Sequence, residues 1–269
     1  MRPMGNPSLR FELAMANHMG SYSKNVVYSS SLGHICPVCG GPKSERWESC
    51  RACDRRNDRH GRKDCEPPTR YDSDTTPARA DSCTVMQGYK NSDDASATEY
   101  LNDIKYIAFD ALRIHYDCIA SCTGAPPTAW ATIPSTKSSP NYGKPNPLNA
   151  VIAQAMAPNG IPQLRLEATT TKTHNTINPR TFNLTNTSDE PPLNHVLLVE
   201  DSWVSGATVQ SAAAMLHQIG AEHVTIYCLA RIIDLRWTRR ELGEQVSNGI
   251  MALRHETHWC PWTLQKHKP

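Results

Sequence analysis

The chain has 269 residues, too long for a peptide hormone and enough for one large domain or a medium domain with a small module. Hydrophobic residues make up 39% and charged residues 20%, and there are 20 prolines against 14 glycines, so a packed core must coexist with extended loop or tail. With 28 Lys+Arg against 26 Asp+Glu the formal charge is +2, which gives no support to a strongly basic nucleic-acid protein or an acidic tail; any basic patch is local.

No stretch approaches the roughly 18 consecutive apolar residues of a membrane span, and the start of the chain lacks the apolar run of a secretory signal. The expectation is a cytoplasmic protein without membrane insertion. Residues 1–30 are polar without sustained period and read as a loosely ordered extension. Residues 31–60 are cysteine-dense, and residues 61–82, rich in charge, proline and small polar residues, read as a linker. Residues 83–250 carry the regular patterns, and residues 251–269 form a C-terminal tail.

Within the regular region, residues 95–120 place Tyr100, Leu101, Ile104, Ile107, Ala108, Ala111 and Ile114 at helical spacing, which predicts one long amphipathic helix. AWATIP then reads as a short buried strand, PLNAVIAQAMA as a helix with Pro147 in its first turn, and QLRLEA as a strand. Residues 169–194 are polar and predict a long loop or flap. HVLLVED reads as a buried strand, GATVQSAAAMLHQIGA as a helix burying Val209, Ala212, Ala213, Leu216 and Ile219, and HVTIYCLA as a second buried strand. Strand, helix, strand with short joints implies a right-handed parallel crossover in an α/β sheet.

The most informative segment is VLLVEDSWVSGATVQS at residues 196–211. Gly206 lets backbone approach a ligand closely, and the first amides of the following helix are donors at the favourable dipole end for a phosphate. Ser205 and Thr208 add hydroxyls, and Glu200 and Asp201 sit at the carboxyl end of the strand, where open α/β sheets place ligands; they could bind sugar hydroxyls or magnesium. The bland alternative is a tight strand-to-helix joint with a solvated acid pair.

Cys36, Cys39, Cys50 and Cys53 form C-x2-C-x10-C-x2-C, two knuckles able to surround one zinc ion, a reading favoured over disulfides or a redox pair. Arginines and lysines crowd the site (Arg46, Arg51, Arg55, Arg56, Arg59, Arg62, Lys63), which allows phosphate contacts, although a purely structural ribbon needs none. Of the remaining cysteines, Cys118 and Cys122 lie four apart on the predicted helix, a spacing that suits a metal, with core packing favoured. His258-Trp259-Cys260-Pro261-Trp262 reads as an aromatic tail packed on the domain.

Residues 196–211 resemble the phosphoribosyl pyrophosphate motif of type I phosphoribosyltransferases: the strand Val196-Leu197-Leu198-Val199, the acids Glu200-Asp201, the variable Ser202-Trp203, and, beyond Val204, the loop Ser205-Gly206-Ala207-Thr208. Trp203 and Val204 depart from the pattern. Together with the four-cysteine ribbon, the motif resembles the competence protein F (ComF) family. Gly88-Tyr89-Lys90 resembles its glycine-tyrosine-lysine element. Thr132-Ile133-Pro134-Ser135-Thr136 resembles its pyrophosphate loop, and Asn178-Pro179-Arg180-Thr181-Phe182 its flexible hood.

The resemblance implies an open, mainly parallel α/β sheet of type I phosphoribosyltransferase kind, flanked by helices and preceded by a small zinc ribbon. It implies binding of 5-phosphoribosyl 1-pyrophosphate with magnesium and transfer of the phosphoribosyl group to an unidentified acceptor. Glu200 and Asp201 would be catalytic, and Glu200, Asp201, Ser202, Val204, Ser205, Gly206, Ala207 and Thr208 would bind the ligand. Ser135, Thr136 and Lys137 would meet the pyrophosphate, Lys144 would stand behind Lys137, and Arg180 would close from the flap. No glutaminase domain accompanies the motif. A second expectation is a non-catalytic ComF-like accessory protein whose ribbon binds DNA or a competence-type protein; a third is a ribbon-containing regulator whose acid pair is structural. Homo-oligomerisation stays open.

Overall fold

The computed structural model describes residues 33–36, 39, 41–51, 53, 86, 88–90, 96–136, 139, 141–143, 146–169, 176–185, 193–252, 260, 262 and 263. The extension at 1–30, the linker at 61–82, Lys137 and Lys144 lie outside them.

In chain order the elements are α1 (Ala97–Phe109), α2 (Cys118–Thr123), β1 (Ala129–Thr132), α3 (Pro147–Met156), β2 (Leu166–Ala168), β3 (Phe182–Leu184), β4 (His195–Trp203), α4 (Ala207–Gln218), β5 (His223–Arg231), α5 (Leu235–Leu242) and α6 (Glu244–Ala252). β1, β4 and β5 form a parallel sheet with β4 in the centre, Trp130 opposite Leu197 and Leu197 opposite Thr225. Gln163 bridges to Trp130 in the parallel sense just ahead of β2.

A central strand has both faces covered, so it cannot alternate apolar with polar residues. Val196, Leu197, Leu198 and Val199 are all fully buried, each side chain contributing about 1.5–3 kcal/mol of burial. Successive residues point to opposite faces. Leu197 and Val199 pack with Ile104, Ile107 and Leu112 on one side and with Val151 and Ile152 of α3. Val196 and Leu198 pack on the other side with Val209, Ala212 and Leu216 of α4, in a cluster that also contains the four ribbon cysteines. The ribbon is therefore seated on the α/β core rather than hanging from it.

Local chemistry sets the helix ends. The Asn146 side chain accepts from the Leu148 amide and caps α3, with Pro147 in the first turn where no amide is needed. Asp234 caps α5 through the amides of Arg236 and Trp237. At α4 the capping position is Gly206, at φ +74, which has no side chain to close the first amides.

Three expectations are corrected. The long helix over residues 95–120 is two helices: α1 widens into a π-helical turn at Asp110–Ile114, where the His115 amide donates to the Asp110 carbonyl, and α2 begins only at Cys118. Each such bond spans one residue more than in an α-helix, so the facing shifts; Ala111 and Leu112 stay buried while Ile114 turns out to solvent at 50% exposure. Ile219 is likewise exposed, because α4 stops at Gln218, one residue short. The polar stretch at 169–194 is not all loop: residues 179–181 form a 3₁₀ turn and β3 pairs antiparallel with β2, with Phe182 fully buried. One well-placed aromatic residue is enough to anchor a polar segment.

Among the described residues, no helix is long and apolar enough to cross a membrane.

Candidate functional site

β1 and β4 run parallel and end side by side, so the segments that leave them converge. A pocket of about 360 Å³ opens there. Ser135 and Thr136 line it after β1; Glu200, Asp201 and Ser202 line it from the end of β4; Val204, Ser205, Gly206 and Thr208 line it from the turn into α4; and Lys90 and Met86 close it from the N-terminal side. Of the residues singled out in the motif, Ala207 is buried beneath the turn and Arg180 lies outside the lining. The Arg180 amide donates to Asn178 Oδ1, and its carbonyl accepts from Thr169 Oγ1. The Asn178 amide donates to Ser211 Oγ of α4 at 2.9 Å, so the start of the 3₁₀ turn at residues 179–181 is tied to the helix that starts at the pocket.

The geometry of the turn explains its glycine. At φ +74 a side chain is strained, and a Cβ on Gly206 would overlap the ring of Trp203, which is 1% exposed and lies directly under the turn. The bulky Trp203, a departure from the motif, is thus the floor of the loop and does not line the pocket. The Ala207 amide is within 3.4 Å of Ser205 Oγ, and the other side of the turn faces the cavity.

The electrostatics centre on three residues. Asp201 is 5% exposed; it pairs with the Lys90 ammonium and accepts a hydrogen bond from Tyr89 Oη at 2.7 Å. Burial alone would push the Asp201 carboxyl up, but the charge and hydrogen bonding of Lys90, with Glu200 and Tyr89, outweigh it and hold the group below its ordinary value. Burial pushes Glu200 well above the carboxylate range, and the Asp201 charge beside it adds to the effect. Burial opposes the charge on Lys90, yet Asp201 wins and holds it raised. Glu200, with its value raised, thus stands next to an Asp201–Lys90 ion pair. Two bare carboxylates would repel an anionic ligand, and the Lys90 charge on Asp201 lessens that repulsion. Tyr89 and Lys90 carry no site role in the sequence reading, and the signal that could have found them is the Gly-Tyr-Lys tripeptide.

The second constellation is the ribbon. Ile35 bridges to Pro42, with the Cys36 amide donating to the Gly41 carbonyl at 2.8 Å and the Lys43 amide to the His34 carbonyl at 2.6 Å, which folds the first knuckle. The Cys53 amide donates to the Cys50 carbonyl at 2.9 Å and shapes the second. The four sulfurs lie within 4.8 Å of one another, Cys39 and Cys50 at 3.5 Å. Four thiolates about 2.3 Å from a tetrahedral zinc ion stand about 3.8 Å apart, so the cluster could hold such an ion with little movement. Hydrogen bonding from Cys39 draws the Cys36 thiol down to about 6, and that from Cys36 draws Cys50 down to about 7, whereas Cys53 is pushed up by hydrogen bonding to Cys36. Thiols so lowered surrender their protons readily to a cation.

Arg231, at the end of β5, joins the two constellations. Its Nε donates to the Cys39 carbonyl at 2.9 Å, and one terminal nitrogen reaches the carbonyls of Trp203 and Val204, each at 2.9 Å. Gly41 makes room for it, since a Cβ there would meet the guanidinium at 2.5 Å. Beside this joint lies a second pocket of about 580 Å³, lined by Trp47, Lys43 and Arg51 of the ribbon and by Val204, Ile232 and Trp237. Val204 and Ile232 border both pockets.

No protein family model matches the chain, and no curated protein matches it.

Proposed function

We propose that the chain is a type I phosphoribosyltransferase-like protein that binds 5-phosphoribosyl 1-pyrophosphate with magnesium and passes the phosphoribosyl group to an acceptor. The observation that carries this reading is the single pocket in which the Gly206 turn, the Glu200–Asp201–Lys90 trio and Ser135 and Thr136 converge. In this reading the 5′-phosphate sits against Ser205, Thr208 and the first amides of α4, whose capping residue Gly206 carries no side chain. The ribose lies over Glu200 and Asp201, and the pyrophosphate points to Ser135 and Thr136.

The acceptor's lone pair forms the new bond to the anomeric carbon as the bond to pyrophosphate breaks, and the electron pair departs with the pyrophosphate. Positive charge grows on the ribose in the transition state, and Asp201 is the anion placed to meet it. Lys90 keeps Asp201 ionised while burial excludes water. Magnesium would neutralise the leaving pyrophosphate; among the described residues Glu200 and Asp201 bring carboxyl groups to the pocket, and with Asp201 already paired to Lys90 the ligand's own oxygens would supply most of the coordination. Arg180, whose backbone is anchored at the base of the hood, would reach over the site only if its exposed side chain swings inward. The ribbon holds zinc in a structural role, in keeping with the reducing conditions of a cytoplasm.

The test is pyrophosphate release from the magnesium complex of phosphoribosyl pyrophosphate over a panel of amine and nucleobase acceptors. Release that is lost in Asp201→Asn supports transfer. Tight binding without release from any acceptor moves the protein to the non-catalytic reading.

That second reading has its own observation. Trp47, 61% exposed, and Trp237, 39% exposed, face a pocket that also carries Lys43 and Arg51. Aromatic faces among cations suit unpaired bases and their phosphates, so a DNA-handling role would act from this side of the ribbon.

A further inference from the structure

The cysteine ribbon is not the only cluster of soft ligands. Cys260 and Trp262 are buried at 0% and 1%, and both belong to the core cluster built on α1 and α3. Trp262 Nε1 donates to the Ala111 carbonyl at 3.1 Å, within the π-helical turn, and its ring lies 5.4 Å from that of Tyr227. The tail therefore returns to the point where the first long helix is interrupted. At that interruption His115 is 2% exposed, and the Cys118 amide donates to the His115 carbonyl at 3.1 Å, closing an H-x2-C turn. The ring nitrogen of His115 and the sulfurs of Cys118 and Cys260 all lie within 4.8 Å of one another.

We propose that His115, Cys118 and Cys260 form a second metal site, for zinc or a similar borderline-soft divalent ion, that pins the C-terminal segment to the end of α1. The donor set is one imidazole and two thiolates, the chemistry such ions prefer over magnesium or calcium. Ligand atoms about 2.0–2.3 Å from a tetrahedral ion stand about 3.5–3.8 Å apart, so side-chain adjustments of an ångström or less would close the site. The H-x2-C spacing lets two ligands bite from one turn, and that turn directly follows the π-helical turn at Asp110–Ile114, a departure from helix regularity of the kind found at functional positions. The third ligand comes from more than a hundred residues away, so the ion acts as a clasp on the tail. The Cys122 side chain, the partner that the sequence spacing offers for Cys118, lies outside the described residues. None of the three lines either of the two pockets described above, so the clasp stands apart from the phosphoribosyl reading.

Metal analysis of the full-length protein, purified without chelator and measured by native mass spectrometry and elemental analysis, tests the clasp. Two zinc ions per chain are expected. Cys118→Ser with Cys260→Ser should remove one, and the milder His115→Gln should weaken that same ion's retention at least tenfold in a chelator competition. In cobalt-loaded Cys36→Ser/Cys39→Ser protein the remaining site should show thiolate charge-transfer absorption about half that of a four-thiolate site, as two sulfurs against four require. Removal of the second ion should also expose the peptide bonds around residue 260 to protease. One zinc per chain in the parent protein, two that survive the Cys118/Cys260 variant, or a cross-linked peptide joining Cys118 to Cys260 would each overturn the proposal.

Discussion

Replacing Gly206 with alanine probes the turn on which the phosphate reading depends. The residue sits at φ +74, a conformation that costs an L-residue about 1–2 kcal/mol, and the added methyl group would press into the Trp203 ring, an overpacking cost of about 1–3 kcal/mol. Together these give about 2–5 kcal/mol, or a fall in melting temperature of about 4–20 °C for a domain of this size. Urea unfolding followed by circular dichroism would measure it. The two contributions separate in a double-mutant cycle with Trp203→Leu, which removes the ring but leaves φ untouched. The double variant should be less destabilised than the sum of the singles by about 1–3 kcal/mol, the overlap alone. Additivity within about 0.5 kcal/mol would refute the placement of Trp203 beneath the turn.

Other outcomes follow from the same contacts. Lys90→Met leaves Asp201 buried without its cation and should cost about 3 kcal/mol, most of it recovered by adding Asp201→Asn, as read by thermal melts. Glu200 has a raised value in the fold, so its contribution is present below the ordinary carboxylate range and is lost as pH rises through the folded value; Glu200→Gln should gain on the parent protein as pH is raised. Asp201 is lowered, so its contribution is present above the ordinary carboxylate range and is lost as pH falls through the folded value; the deficit of Asp201→Asn should shrink in acid. Arg231→Ala removes donors to the Cys39, Trp203 and Val204 carbonyls and should cost about 1–3 kcal/mol, with the ribbon freed to protease.

The parts of the fold that were legible are those where one physical signal dominates. A run such as Val196-Leu197-Leu198-Val199 has no amphipathic face, so it could only be a strand covered on both sides, and the short joints to α4 and β5 then force parallel pairing. The π-helical turn at Asp110–Ile114 was not legible, because the helical period persists in the sequence up to Ile114 and only packing against Trp262 and the sheet shows where it slips. β3 was hidden for the opposite reason: Phe182 is a single anchor in polar surroundings, too little for any periodicity. At the site, Gly206 and the acids announced themselves by their order along one strand and turn. Lys90 did not, since its partner Asp201 is 111 residues on, and Arg231 reads as an ordinary strand-end cation until the ribbon is set against it. His115, Cys118 and Cys260 are brought together only by the return of the tail.

The central claim is that the pocket at the ends of β1 and β4 binds a ribose phosphate, and a calorimetric titration tests it most directly. Phosphoribosyl pyrophosphate with magnesium would be titrated into the zinc-loaded protein and into Ser205→Asp, which puts a negative charge where the 5′-phosphate should lie. Saturable binding in the parent, weakened at least tenfold in the variant, is the result predicted. No binding in the parent protein, or equal binding in both, would contradict it.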